Sequence, residues 1–177
     1  MPAFFKSIRR ALLALLLATG AEAVPASCPT AGPLAVQVLG SGGPIADDGR
    51  SSTAYLVWID GAARILVDAG GGAFLRFGEA GARFDDLDFI GLSHFHTDHS
   101  ADLPALLKSG FFSKRTRPLP IAGPGGGGPF PGLPGFLSAM LDPERGAYGY
   151  LSGYLDGSGG LARLEPIEVP VAANGPI

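Results

Sequence analysis

Short apolar runs alternate with clusters of turn-forming residues from Leu34 onward. Leu34–Leu39 (LAVQVL), Ala54–Ile59 (AYLVWI) and Ala63–Val67 (ARILV) stop at Gly40–Pro44, at Asp60-Gly61, and at Asp68 ahead of three consecutive glycines. Each run predicts a strand, and an Asp-Gly pair between the second and third is a strong hairpin signal. Phe74 and Phe77 then stand at helical spacing with Ala73 and Ala80, predicting a short helix weakened by Gly78. Leu87–Leu92 (LDFIGL) predicts a buried strand that runs directly into Ser93-His94. Leu103, Leu106 and Leu107 recur at i, i+3 and i+4, so a helix is expected over 101–109, with Asp102 and Pro104 in its first turn. Strand, loop, helix is the layout in which α/β proteins place ligands.

The remainder is less regular. Arg117–Phe136 is dense in Gly and Pro and reads as a long surface loop around one apolar run, Leu119–Ala122. Residues 136–141 predict one or two helical turns, and Leu161–Val171 a last β segment. Tyr148, Tyr150 and Tyr154 alternate with small residues, as in a half-buried strand or an aromatic lid.

Composition narrows the class. Gly (28) and Pro (16) make up a quarter of the 177 residues, yet 46% are hydrophobic and 16% charged, which argues for a globular chain over a disordered one. Cys28 is the single cysteine, expected unpaired in a flexible stretch 24–33, so disulfide frameworks and Cys-rich zinc modules are excluded. Met1–Ala23 combines a basic start, an apolar run too short to span a bilayer, and Ala21-Glu22-Ala23. That order predicts a signal peptide cleaved after Ala23, export to the periplasm or beyond, and no lasting membrane anchor. The formal charge of −3 lacks the basic face of a nucleic-acid binder, so the expected partner is a small anionic ester and not nucleic acid. Lys114, Arg115 and Arg117 read as a solvated basic face, with attraction of such an ester as the alternative.

The chemistry is concentrated in one place. All three His fall within His94-Phe95-His96-Thr97-Asp98-His99. Neutral imidazole and carboxylate are zinc ligands, and two pairs of them on one short loop suit two metals about 3.5–4 Å apart with a water between. A metal-bound hydroxide formed near neutral pH would attack phosphorus, sulfur or a carbonyl carbon, so hydrolysis is the expected reaction.

HFHTDH resembles the HxHxDH signature of the metallo-β-lactamase-fold hydrolases. LGSGGP at Leu39–Pro44, YLVWIDGAARILVDAGGG, and DFIGLSHFHTDHSADLPALLKS resemble the branch that holds ribonuclease Z, arylsulfatase-like enzymes and cyclic-nucleotide phosphodiesterases. The likeness spans Leu34 to Gly123. It implies an α+β, αββα sandwich and a zinc-dependent hydrolase of phosphodiesters or sulfate esters with two Zn2+ per complete site. By the same resemblance His94 and His96 would ligate one zinc, and Asp98 and His99 the other. Asp98 would also pass a proton to the leaving group, Asp68 would orient the metal loop from behind, and Ser41–Gly43 would offer backbone N–H groups to the site.

One departure sets a further expectation. Family members supply more His, and a bridging Asp, C-terminal to this segment, whereas no His follows His99. The expected domain, 34–177, is therefore incomplete: one half of the sandwich plus part of the second, with a sheet face left uncovered. The alternative function is a catalytically inactive metal-binding or interaction fragment.

Overall fold

In the computed structural model, which describes residues 32–170, the Asp60-Gly61 pair turns as its sequence predicts. Both residues have positive φ, 49° and 77°, the combination that a two-residue hairpin needs. The turn joins strands β2 (Ala54–Ile59) and β3 (Ala62–Val67), and β1 (Leu34–Gly40) lies antiparallel on the other side of β2. Beyond β3 the sheet becomes parallel: β4 (Phe89–Gly91), β5 (Leu119–Pro124) and β6 (Leu164–Val169) follow in spatial order, giving six strands in the sequence β1 to β6.

Parallel neighbours require crossovers, and helices supply them. Helix α1 (Ala73–Glu79) lies between β3 and β4; α2 (Thr97–Ser100) and α3 (Leu103–Gly110) lie between β4 and β5; α4 (Leu133–Leu141) and α5 (Gly153–Asp156) lie between β5 and β6. Among the described residues none of these helices is long and apolar enough to cross a membrane.

Register decides which face is buried. Leu56, Leu66, Ile90 and Ile121 are partners in one row across four strands, and all are essentially inaccessible. They pack against Phe77 of α1, Leu103, Leu106 and Leu107 of α3, Leu133 and Leu137 of α4 and Tyr154 of α5 in one continuous core. Burial of each such side chain contributes about 1.5–3 kcal/mol. The adjoining row, Val36, Val57, Ile65 and Phe89, points to the opposite face. Among the described residues no helix covers that face: Leu34, Val36 and Val38 are 66%, 66% and 57% exposed, and Ile167 and Val169 are exposed as well. An apolar, uncovered sheet face is what one layer of a two-sheet sandwich presents.

Three sequence expectations change. Arg117–Phe136 is not one surface loop: Leu119–Pro124 is an inner strand with Leu119 and Ile121 fully buried, and α4 begins at Leu133. The tyrosine segment is neither strand nor lid but a 3-10 turn (Gly149–Leu151) followed by α5, with Tyr154 buried edge-on against Phe84. Arg115 is no part of a solvated face; it is 5% exposed, and its guanidinium donates to the carbonyls of Leu87, Asp85, Arg117 and Pro118. The expected signal peptide, Cys28 and most of the stretch 24–33 lie outside the described residues.

Candidate metal centre

The histidine loop starts where β4 ends. Ser93 to His96 leave the strand extended, so alternate side chains face opposite ways. Phe95 turns inward and stacks on Phe136 of α4, with ring centroids 4.4 Å apart and nearly parallel planes. His94 and His96 face the other way, with centroids 4.6 Å apart. The chain then winds into α2, which brings His99 back to 3.9 Å from His94 between ring centroids. Ser100 fixes that turn: its buried hydroxyl donates to the carbonyls of Phe95 and His96.

A second loop holds the first in place. Asp68, directly after β3, is 3% exposed and has φ 60°, a left-handed conformation that Asp tolerates better than most residues. Its carboxylate accepts from the Ser93 backbone N–H at 2.7 Å, the Ser93 hydroxyl at 2.8 Å and His99 Nδ1 at 2.8 Å. The Ala69 N–H donates to the His99 carbonyl, and the Asp102 N–H returns to the Ala69 carbonyl. Gly70 lies so close beneath that a Cβ there would stand 2.0 Å from the Asp98 carbonyl oxygen. No side chain fits.

These bonds select tautomers. An ionised carboxylate only accepts, so His99 carries its proton on Nδ1 and presents the Nε2 lone pair outward. The Ser93 hydroxyl has spent its hydrogen on Asp68, so it accepts from His94 Nδ1 at 3.1 Å, and His94 likewise presents Nε2. Burial, aided by the neighbouring His99 and His96, lowers the His94 pKa below the usual imidazole value, which favours the neutral, ligating form.

The donor chemistry fits a divalent metal. Asp98 Oδ2 is 3.5 Å from His99 Nε2. Two donors on one tetrahedral zinc at about 2.0–2.1 Å stand about 3.3–3.4 Å apart, so this pair is spaced to share an ion. His94 and His96 form the second pair. Among the described residues no three His, Cys, Asp or Glu side chains close around one point. The loop thus carries ligand pairs where a catalytic zinc uses about three protein ligands.

Four of the residues expected at the site therefore come together, His94, His96, Asp98 and His99, with Asp68 behind them. Ser41–Gly43 is tied to the segment beside Gly70: the Gly42 N–H donates to the Ser51 carbonyl, and the Ser52 and Thr53 hydroxyls donate to the Gly43 and Gly42 carbonyls. Ser93 and Ser100 were missed by sequence reasoning, since a serine beside a ligand has no spacing that marks it.

The sequence model of the metallo-beta-lactamase superfamily matches residues 47–171. The chain belongs to that superfamily. Among curated superfamily relatives, ribonuclease Z of Mycobacterium bovis (strain BCG / Pasteur 1173P2) is 34% identical over 147 residues, covering 81% of this chain and 49% of the relative. Ribonuclease Z of Agathobacter rectalis is 39% identical over 93 residues, covering 52% and 30% respectively. The metallo-beta-lactamase fold itself is shared with the short form of human tRNase Z, at a TM-score of 0.57 and 22% identity over 78% of this chain and 46% of that one. YhfI from Bacillus subtilis, a metallo-beta-lactamase fold protein, aligns at a TM-score of 0.51 and 21% identity, covering 78% and 47%. The chain spans about half the length, or less, of the relatives it matches.

One expectation is overturned by these relatives. Nucleic acid was excluded as a partner on net charge, yet the matched relatives are ribonucleases. A chain-wide charge of −3 averages over the whole surface. It does not describe the field at any one loop.

Proposed function

We propose that this chain carries the metal-binding loop of an exported, zinc-dependent phosphodiester hydrolase whose substrates include RNA. The observation that carries the reading is the Asp68–Ser93–His99 network, which fixes two imidazoles with Nε2 outward beside the Asp98 carboxylate. Of the two ester classes left open by sequence, the phosphodiester has the support of relatives named as ribonucleases. The Met1–Ala23 leader supports export.

His94 and His96 would hold one zinc, and Asp98 and His99 a second. Bound zinc supplies Lewis acidity toward a phosphoryl oxygen and a water with pKa near 7, roughly. The chain's own groups do the rest. Asp68 holds the proton on His99 Nδ1 and so keeps Nε2 free of it. Phe95, stacked on Phe136, sets the direction of the two flanking histidines. With Oδ2 given to the second zinc, the other oxygen of the Asp98 carboxylate is left to receive a proton and return it to the leaving oxygen.

A second reading, a metal-binding fragment without turnover, is favoured by the pairs of ligands. One experiment separates the two: the full chain is titrated with zinc chloride against a chromophoric chelator, then assayed on bis(4-nitrophenyl) phosphate and a labelled RNA. Zinc binding with hydrolysis that His96→Ala abolishes supports the hydrolase. Zinc binding without hydrolysis selects the fragment, and failure to bind zinc overturns both.

A further inference from the structure

The outward side of the histidine loop borders a cavity of about 430 Å³, with His94 and His96 on one side and Pro124, Phe130 and Pro131 on the other. Phe130 is 56% exposed, and its ring stands edge-on to His96 with centroids 5.8 Å apart. The core does not need it, because the inner layer here is the Phe95–Phe136 stack.

Phe130 is nevertheless held firmly. Gly127 and Phe130 exchange two backbone hydrogen bonds of 3.1 Å across a tight turn, and Gly128 takes φ 56° at its tip. Pro129 and Pro131 flank the ring and fix their own φ angles, which lowers the entropy that ordering the turn would otherwise cost. A rigid, solvent-exposed aromatic beside phosphate-handling histidines is a stacking platform. Among the described residues the histidines are the only polar side chains on the cavity wall, so the wall can stack a planar ring but has little with which to read its hydrogen-bonding edge.

We propose that this cavity receives one nucleobase of the RNA, next to the phosphate held at the metal loop, by stacking on Phe130 and without selecting among the bases. The proposal rests on the phosphodiester reading above. Base stacking on an aromatic side chain contributes enough that its removal weakens binding roughly 5- to 150-fold.

The test uses the full chain with zinc chloride and short oligoribonucleotides bearing slowly hydrolysed phosphorothioates, with 2-aminopurine placed at each position in turn. Binding is read by anisotropy of an end label and stacking by 2-aminopurine fluorescence. At one position the fluorescence should be quenched by the parent chain and by Phe130→Trp, and not by Phe130→Ala. Affinity for Phe130→Ala should fall about 5- to 150-fold, with unchanged circular dichroism. An abasic nucleotide at that position should bind the parent chain as weakly, while the four natural bases there should agree within about threefold. Tight binding with no quenched position and no effect of Phe130→Ala overturns the stacking site and leaves the phosphodiester reading intact. A strong preference for one base overturns the claim that identity goes unread. Failure of every oligoribonucleotide to bind overturns both readings together.

Discussion

Asp68 and His99, 31 positions apart in sequence, are joined by a 2.8 Å hydrogen bond that sets the imidazole tautomer of the metal loop. Asp68→Asn keeps a residue type that tolerates left-handed backbone while removing the charge. It should lower zinc affinity about 10- to 100-fold with the fold intact, as measured by chelator competition and circular dichroism. Unchanged affinity would mean that the carboxylate does not govern the ligand.

Gly70→Ala tests the seat of the loop. The added methyl would meet the Asp98 carbonyl oxygen at 2.0 Å and the Ser52 side chain at 2.8 Å, both from packed elements. Overpacking of this kind costs about 1–3 kcal/mol. The urea midpoint should drop accordingly, and zinc affinity should fall with it because Asp98 is displaced.

Arg115 is expected to behave as a structural residue. Its guanidinium joins the Leu87 carbonyl, just ahead of β4, to the Pro118 carbonyl, just ahead of β5. Arg115→Met would leave the Arg117 and Pro118 carbonyls without this donor, while those of Asp85 and Leu87 keep Arg117, for a loss of about 2–4 kcal/mol in denaturant unfolding. Arg115→Lys should recover only part of this, since an ammonium cannot reproduce the planar fork. If Arg115 instead drew in substrate, Arg115→Met would raise KM without moving the unfolding midpoint.

Tyr154 gives an alkaline signature. Its hydroxyl is buried and donates to the Leu107 carbonyl at 2.7 Å, and burial raises its pKa well above the ordinary tyrosine value of 10.0. Above about pH 10 the unfolded chain releases this proton while the folded chain keeps it, so the contribution is fully present below that pH and lost as pH rises. Stability of the parent should therefore fall more steeply than that of Tyr154→Phe between about pH 9 and pH 11. At neutral pH the variant should be less stable by about 0.5–1.5 kcal/mol. Parallel pH profiles would show that Tyr154 does not carry the alkaline response.

What was legible in the sequence is what local chemistry encodes. Asp60-Gly61 and its flanking runs specified the hairpin, and the density of His and Asp in His94–His99 marked the candidate ligand cluster, whose side chains the structure brings together. The inner strand β5 was hidden by Pro120 and Pro124, which lack the N–H that a central strand normally uses. The structure shows how they are tolerated. Even-numbered residues of β5 face β4, as the Leu92 N–H to Ala122 carbonyl bond shows, and β4 pairs only with Ile121 and Ala122. Both prolines fall where that short neighbour has ended. Ser93 and Ser100 were hidden for a different reason: their roles arise from a hydrogen bond to a residue on another loop or to carbonyls of a turn, and neither leaves a periodic trace.

Because β3, β4 and β5 run parallel as neighbours, the loops bearing Asp68, His94–His99 and Phe130 all leave the same edge of the sheet. The row Leu66, Ile90 and Ile121 that stabilises those strands lies outside all three loops. Evolution or an engineer can therefore exchange the Phe130 loop while keeping both the histidine loop and the core, so what borders the candidate site can diversify separately from foldability.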